Sequence, residues 1–67
     1  MIMEEKMYII MVNNEDNGWK EFDGIWLTEE EINRDLRKYR KWVKGYNVKF
    51  RKKCVYNGPI QRLSIHH

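Results

Sequence analysis

The spacing of apolar residues predicts one amphipathic helix, between residues 28 and 45. Within it, Ile32, Leu36, Tyr39 and Val43 follow one another at steps of four, three and four residues. Because an α-helix turns by about 100° per residue, these side chains form one narrow apolar stripe. The stripe is expected to pack against a core.

Both ends of this helix carry recognisable signals. Thr28 and Glu31 stand three residues apart, the spacing of a capping box, in which each side chain accepts a hydrogen bond from the other residue's backbone N–H. Gly45 follows the last apolar residue and adopts without strain the positive φ common just past a helix end. The predicted helix therefore covers residues 28–45.

Residues 6–12 are predicted to form a strand, because Tyr, Ile and Val dominate the segment. A strand in a one-sided sheet alternates apolar with polar residues, but here both faces are apolar. One face holds Met7, Ile9 and Met11, and the other holds Tyr8, Ile10 and Val12. The helix would cover one side; a second subunit, a partner or the chain's own aromatic residues would cover the other.

Turn residues after this strand predict a hairpin. Residues 13–18, NNEDNG, favour a loop, and residues 19–22 would then return antiparallel to the first strand. Asp23 and Gly24 interrupt the return as a bulge or a turn. Leu27 leads into the helix, where it is placed to contact Ile32 as a hydrophobic staple.

The segment after the helix alternates apolar and polar residues, which predicts a half-buried strand with a basic outer face. Its inward residues are Tyr46, Val48 and Phe50, and its outward residues are Asn47, Lys49 and Arg51. A bulge or strand end is expected at residues 51–53, after which Cys54 or Val55 turns inward. Asn57 and Gly58 then predict a second hairpin, widened by Pro59, with a last strand at residues 60–65.

The order strand, strand, helix, strand, strand predicts an α+β fold. Its economical form is a small, mainly antiparallel sheet with the helix packed on one face. The chain of 67 residues is short enough for one domain. Residues 1–5 and 66–67 are expected to be frayed.

Composition narrows the possible chemistry. The lone cysteine, Cys54, excludes an internal disulfide, and with histidine only at positions 66 and 67 the common zinc patterns are absent. We therefore predict no metal, no cofactor and a buried structural thiol at Cys54. The N-terminus lacks the pattern of a signal peptide, and its apolar run is too short to span a bilayer. These features favour a reducing, cytoplasmic location.

Charge is unevenly distributed along the chain. Residues 1–31 hold nine acids and two lysines, whereas residues 32–67 hold eleven basic residues and Asp35 as the single acid. Such asymmetry indicates an electrostatic partner, either nucleic acid or a protein with an acidic surface. It is also consistent with the two halves facing each other in the fold.

The candidate anion-binding residues are the cations of the helix and of the strand that follows it. Lys and Arg side chains that neutralise phosphates release counterions and supply most non-specific affinity for nucleic acid. A solvated surface is the plainer interpretation, although solvated faces usually mix both signs of charge. The set comprises Arg34, Arg37, Lys38, Lys41 and Lys44 on the helix and Lys49, Arg51 and Lys53 on the strand.

Aromatic residues offer a second candidate contact. They can stack on unpaired bases, but in so small a domain most are expected to lie in the core. Trp42 lies at the edge of the apolar stripe, close to Lys38 and Lys41 in the helix. We predict that it is half exposed and serves as a partner interface. The other aromatics considered are Trp19, Trp26, Tyr46 and Tyr56.

These features favour a small non-enzymatic binding module, with no catalytic motif evident. The first hypothesis is a nucleic-acid-binding or nucleic-acid-associated regulator that uses the basic helix face and the strand that follows the helix. The alternative is a protein-interaction module, such as a small phage-type inhibitor that blocks a larger host protein. A homodimer would hide the second apolar face of the first strand.

Overall fold

Across residues 4–59, the part of the chain described by the computed structural model, one helix lies on a four-stranded antiparallel sheet. The predicted α+β class is therefore confirmed. In chain order the elements are β1 (Glu4–Asn14), β2 (Trp19–Glu21), β3 (Leu27–Thr28), α1 (Glu29–Trp42) and β4 (Val48–Pro59). The predictions for residues 1–3 and 60–67, including the last strand, lie outside the described residues.

β1 is the centre of the sheet. β4 pairs with it along its full length, from Glu4 opposite Pro59 to Asn14 opposite Val48. Met11 also pairs with Glu21 of β2, and Met7 with Thr28 of β3. Because these β1 residues are paired on both sides, β2 and β3 must follow one another along the edge opposite β4.

The helix begins as its sequence predicts. The backbone N–H of Glu31 donates to Thr28 Oγ1 at 3.2 Å, and the backbone N–H of Thr28 donates to Glu31 Oε1 at 2.9 Å. The helix ends earlier than predicted, with Trp42 as its last residue and Val43 as its C-cap. Gly45 then has φ +92°, the positive value expected after a helix.

The predicted apolar stripe faces the core. Ile32 and Leu36 are buried against Tyr8 and Ile10 of β1 and Phe50 of β4. Within residues 4–59, the partly buried residues packed against this cluster are Val12, Leu27, Tyr39, Val43 and Val48. One side of the sheet is thus closed by the helix.

The chain covers the other face of β1 with its own side chains. Arg51 lies opposite Met11, and its guanidinium lies 4.1 Å from the ring centre of Trp19 on the far edge of β1. Ile9 is 3% exposed and Met11 9%, so neither needs a second chain for its burial. The homodimer stays a prediction, but the need to cover the second face of β1 no longer supports it.

A second ring contact spans β1 nearer its start. Tyr56 lies opposite Met7, and its ring stacks on that of Trp26 at 6.3 Å. Thr28, two residues after Trp26, pairs with Met7 from the other edge. The aromatic cover that the sequence left as one of three alternatives is therefore present.

The second predicted hairpin is wrong. Asn57 and Gly58 lie inside β4, where they pair with Lys6 and Glu5. β1 begins at Glu4, earlier than predicted, and so offers backbone partners as far as Pro59. A continuous ladder of hydrogen bonds outweighs the local turn preference of an Asn-Gly pair.

Two further strand predictions are wrong. Tyr46 precedes β4 in the turn that ends the helix, where its N–H donates to Val43 O at 2.9 Å. Cys54 is exposed, not buried. It lies beyond Lys52, which contacts the first turn of the helix at Glu29, so the helix does not extend over it.

The bulge also lies later than predicted. Met7 pairs with Tyr56 and Tyr8 with Cys54, so the register shift falls at Val55 and not at residues 51–53. An extra residue at this point lets the strand bend locally while the ladder continues.

Candidate functional site

An open cleft of about 470 Å³ lies where the helix end, the following turn and the start of β4 meet. Four cations and two exposed or partly exposed aromatic residues line it. They are Arg40, Lys44, Lys49 and Arg51, with Trp19 and Tyr46. We call this feature the basic cleft.

The chain reversal between α1 and β4 brings these residues together. The helix stops at Trp42, and the turn through Gly45 returns the chain to β4 at Val48. Lys44 of the turn thereby comes to line the same cleft as Lys49 and Arg51 of the strand. These three predicted cations therefore share one surface.

Arg40 joins the helix to β4 within the basic cleft. Its Nη2 donates to the backbone carbonyl of Phe50 at 3.0 Å. A guanidinium has five N–H donors, so this bond orients the group and leaves other donors for a ligand. Sequence reasoning missed Arg40, although its place four residues after Leu36 sets it beside the apolar stripe.

Arg51 is oriented by a ring. Its guanidinium lies 4.1 Å from the centre of the Trp19 ring, a cation–π contact. Stacking occupies a face of the guanidinium, whereas its N–H donors point outward in the plane. The pairing depends on two residues 32 positions apart in the sequence, so no local signal indicates it.

Tyr46 presents its ring to solvent. It is 74% exposed, and among residues 4–59 no ring contact or cation–π contact involves it. An aromatic ring beside cations is a surface on which a planar ligand group can stack.

The basic cleft is not neutralised by its own lining. Among the described residues that line it, none is acidic. Asp16 lies nearby and accepts a hydrogen bond from Asn47 Nδ2 at 3.2 Å, while the N–H of Glu15 donates to Asn47 O at 2.8 Å. These contacts hold the first hairpin loop against the turn before β4.

The remaining predicted cations lie outside the cleft lining. Lys38 contacts the rings of Tyr39 and Trp42 at 5.5 and 5.2 Å, and Lys53 lies opposite Ile9 on the sheet face without the helix. All of the remaining cations are exposed, and they are Arg34, Arg37, Lys38, Lys41 and Lys53.

The expectation that most of the aromatic candidates are core is wrong. Trp26 is 53% exposed, Trp42 64% and Tyr46 74%. Trp19 and Tyr56 are partly buried. The small core is instead built around aliphatic residues with Tyr8 and Phe50, which leaves several large rings available for contacts.

No protein-family model, curated protein or solved structure matches this chain. Within residues 4–59 no three His, Cys, Asp or Glu side chains group closely enough to hold a metal ion. No helix in that range is long and apolar enough to cross a membrane. The functional argument therefore depends on the geometry of the basic cleft.

Proposed function

We propose that this protein is a small non-enzymatic module that binds nucleic acid through the basic cleft. The observation that carries the proposal is the convergence of Arg40, Lys44, Lys49 and Arg51 beside Trp19 and Tyr46, with no acid in the described lining. Cations supply affinity for phosphates, and rings supply contacts to bases or sugars. These groups suit binding more than reaction.

Two of the cations are held in place before any ligand arrives. Phe50 O orients Arg40, and the Trp19 ring orients Arg51. Ordering a free side chain on binding costs about 0.5–1.5 kcal/mol, and part of this cost is already met for these two. Their fork-shaped donor sets match phosphate oxygens.

The cations outside the cleft would act at longer range. Arg34, Arg37 and Lys41 are exposed on the helix, and the sum of such charges attracts a polyanion before contact. Because the Debye length is about 10 Å at 0.1 M salt, this attraction weakens as salt is added.

A protein-interaction module, such as a small phage-type inhibitor, is the second candidate. Ile25 and Trp26 are neighbours in sequence and are 57% and 53% exposed, which is typical of interface anchors. Such a partner would meet these residues or Trp42, and an acidic partner surface would meet the cleft. For either candidate we propose a cytoplasmic location, which suits an exposed free thiol at Cys54.

A pair of matched charge reversals tests the proposed function. Lys44→Glu with Lys49→Glu should weaken binding to a labelled nucleic acid by more than about tenfold, equivalent to 1.4 kcal/mol. Lys6→Glu with Lys20→Glu makes the same change in net charge at exposed lysines outside the cleft, and it should have a smaller effect.

Fluorescence anisotropy over a series of salt concentrations provides the measurement. The wild-type affinity should fall steeply with salt. Equal effects of the two double variants would show that net charge alone matters, and no binding at low salt would reject the proposal. Capture of a protein partner that persists after nuclease treatment, and is lost in Trp26→Ala, would favour the second candidate.

A further inference from the structure

The exposed ring of Tyr46 indicates which form of nucleic acid the basic cleft accepts. We infer that the ligand is a single strand, with an unpaired base stacked on Tyr46 and the neighbouring phosphates held by Arg40 and Arg51. This inference rests on the proposed function and adds the class of ligand to it.

The exposed ring of Tyr46 needs access to the face of a base. Tyr46 is 74% exposed at the cleft, and a tyrosine ring can stack only on a base whose face is free. In a duplex the faces of internal bases are covered by their neighbours. A ring in this position therefore contributes to binding a single strand and contributes little to binding a duplex.

The shape of the basic cleft also favours a single strand. A duplex is usually read by a helix or a β-ribbon that enters a groove. Here four of the described cations line one open cleft of about 470 Å³, within the range of roughly 300–1,000 Å³ that is usual for sites holding small ligands. A flexible strand can place one nucleotide in such a space.

The arrangement of cations and rings in the basic cleft also suits a single strand. The Arg51 guanidinium lies on the Trp19 ring, and Arg40 is fixed by Phe50 O, so two phosphate-binding groups have defined positions around the cleft. Grooves that combine cations tracking a backbone with rings that stack on bases are the usual solution for single strands. Lys44 and Lys49 extend the cationic lining on either side of Tyr46 in the sequence.

The test compares a labelled oligothymidine of about 16 nucleotides, the upper site size of one single-strand binding fold, with a duplex of equal length. The single strand should bind at least about fivefold more tightly, since stacking of one base is worth roughly 1 kcal/mol or more. Tyr46→Ala should remove this preference, while Tyr46→Phe, which keeps the ring, should retain it.

Two controls separate stacking from charge and from folding. Inorganic polyphosphate has phosphates but no bases, so its affinity should be unchanged in Tyr46→Ala. Trp26→Ala removes another exposed ring outside the cleft, and the preference for the single strand should persist. Circular dichroism confirms that each variant is folded.

The outcomes distinguish this inference from the proposed function. If the duplex binds as tightly as oligothymidine, or if Tyr46→Ala binds both as the wild type does, the inference is rejected and the proposed function stands. If neither nucleic acid binds at low salt, both are rejected.

Discussion

Thr28 and Glu31 show how single residues set the start of the helix. The backbone N–H of Thr28 is the main cause that lowers the pKa of Glu31 below its ordinary value of 4.5; the Thr28 side chain and the charge of Arg34 lower it further. A carboxyl whose pKa is lower in the folded state stabilises the fold at pH values above its ordinary pKa. This stability is lost as the pH falls through the lowered value.

We predict that Glu31→Gln lowers the thermal midpoint at pH 7, because the neutral amide accepts a weaker hydrogen bond from Thr28. The difference from the wild type should shrink as the pH falls below 4.5 and the wild-type carboxyl becomes protonated. Thermal melts followed by circular dichroism across that pH range give the measurement.

Glu30→Gln is the matched control, since Glu30 is an exposed acid in the same turn but outside the capping box. Glu30→Gln removes a charge near the helix N-terminus and leaves the capping box intact, so it measures any general effect of losing that charge. A pH-independent difference for Glu31→Gln, or an equal effect of both variants, would contradict the argument.

Leu36 tests the core at the same scale. It is 4% exposed and lies in the centre of the apolar stripe, so Leu36→Ala should cost about 2–5 kcal/mol of unfolding free energy. Urea denaturation measures this cost. Tyr46→Ala, at a position 74% exposed, should change stability little, and equal costs for the two would show that the core is wrongly assigned.

The helix and β4 are tied together at both ends of their contact. Near the helix start, Lys52 Nζ donates to Asn33 Oδ1 at 3.0 Å and lies 3.5 Å from Glu29. Near the helix end, Arg40 donates to Phe50 O at 3.0 Å. The apolar stripe packs between these two sets of polar contacts, so the position of the basic cleft follows from the packing of the helix on β4.

Substitutions in β1 test the packing of the sheet, because both faces of this strand are buried within one chain. Ile10 is fully buried towards the helix, and Ile9 is 3% exposed on the opposite face. Ile9→Asp and Ile10→Asp should each prevent stable folding, since a buried carboxylate loses its hydration. The lysine opposite each position, Lys53 or Lys52, would offset only part of that cost. Circular dichroism tests folding. A folded Ile9→Asp protein would show that the second face is open to solvent.

Local patterns were sufficient for the elements whose signals are local. The capping box at Thr28, the stripe through Leu36 and the first hairpin all follow from neighbouring residues, and all are present. The hairpin loop is shorter than the predicted residues 13–18, because β1 continues to Asn14. The Asn57-Gly58 turn failed because pairing with the start of β1 competes with it. Turn preference cannot reveal that a distant strand extends far enough to compete.

The candidate site was predictable only in part for the same reason. Lys44, Lys49 and Arg51 were selected by charge, and they do line one cleft. Arg40 and Trp19 enter it through contacts with Phe50 and Arg51, which depend on how the helix and β2 lie on the sheet. The exposure of Tyr46 depends on where β4 begins. The alternation of apolar and polar residues alone predicted a start at Tyr46, which is too early.

At the scale of the whole molecule, the charge asymmetry of the sequence persists at the basic cleft. Lys52 pairs with Glu29 across the helix and β4, but the described lining of the basic cleft contains no acid. A basic surface whose described lining contains no acid attracts polyanions. We propose that nucleic acid is bound at this cleft and not along the exposed helix face that carries Arg34 and Arg37.

The most direct test is a nuclear magnetic resonance titration of isotope-labelled protein with oligothymidine. If nucleic acid binds at the basic cleft, the largest changes in chemical shift should occur at the backbone amides of residues 43–51 and at the indole N–H of Trp19. The chemical shifts of the Arg34 and Arg37 amides should change little. Shifts concentrated on the outer helix face or around Ile25 and Trp26, or no shifts at low salt, would contradict it.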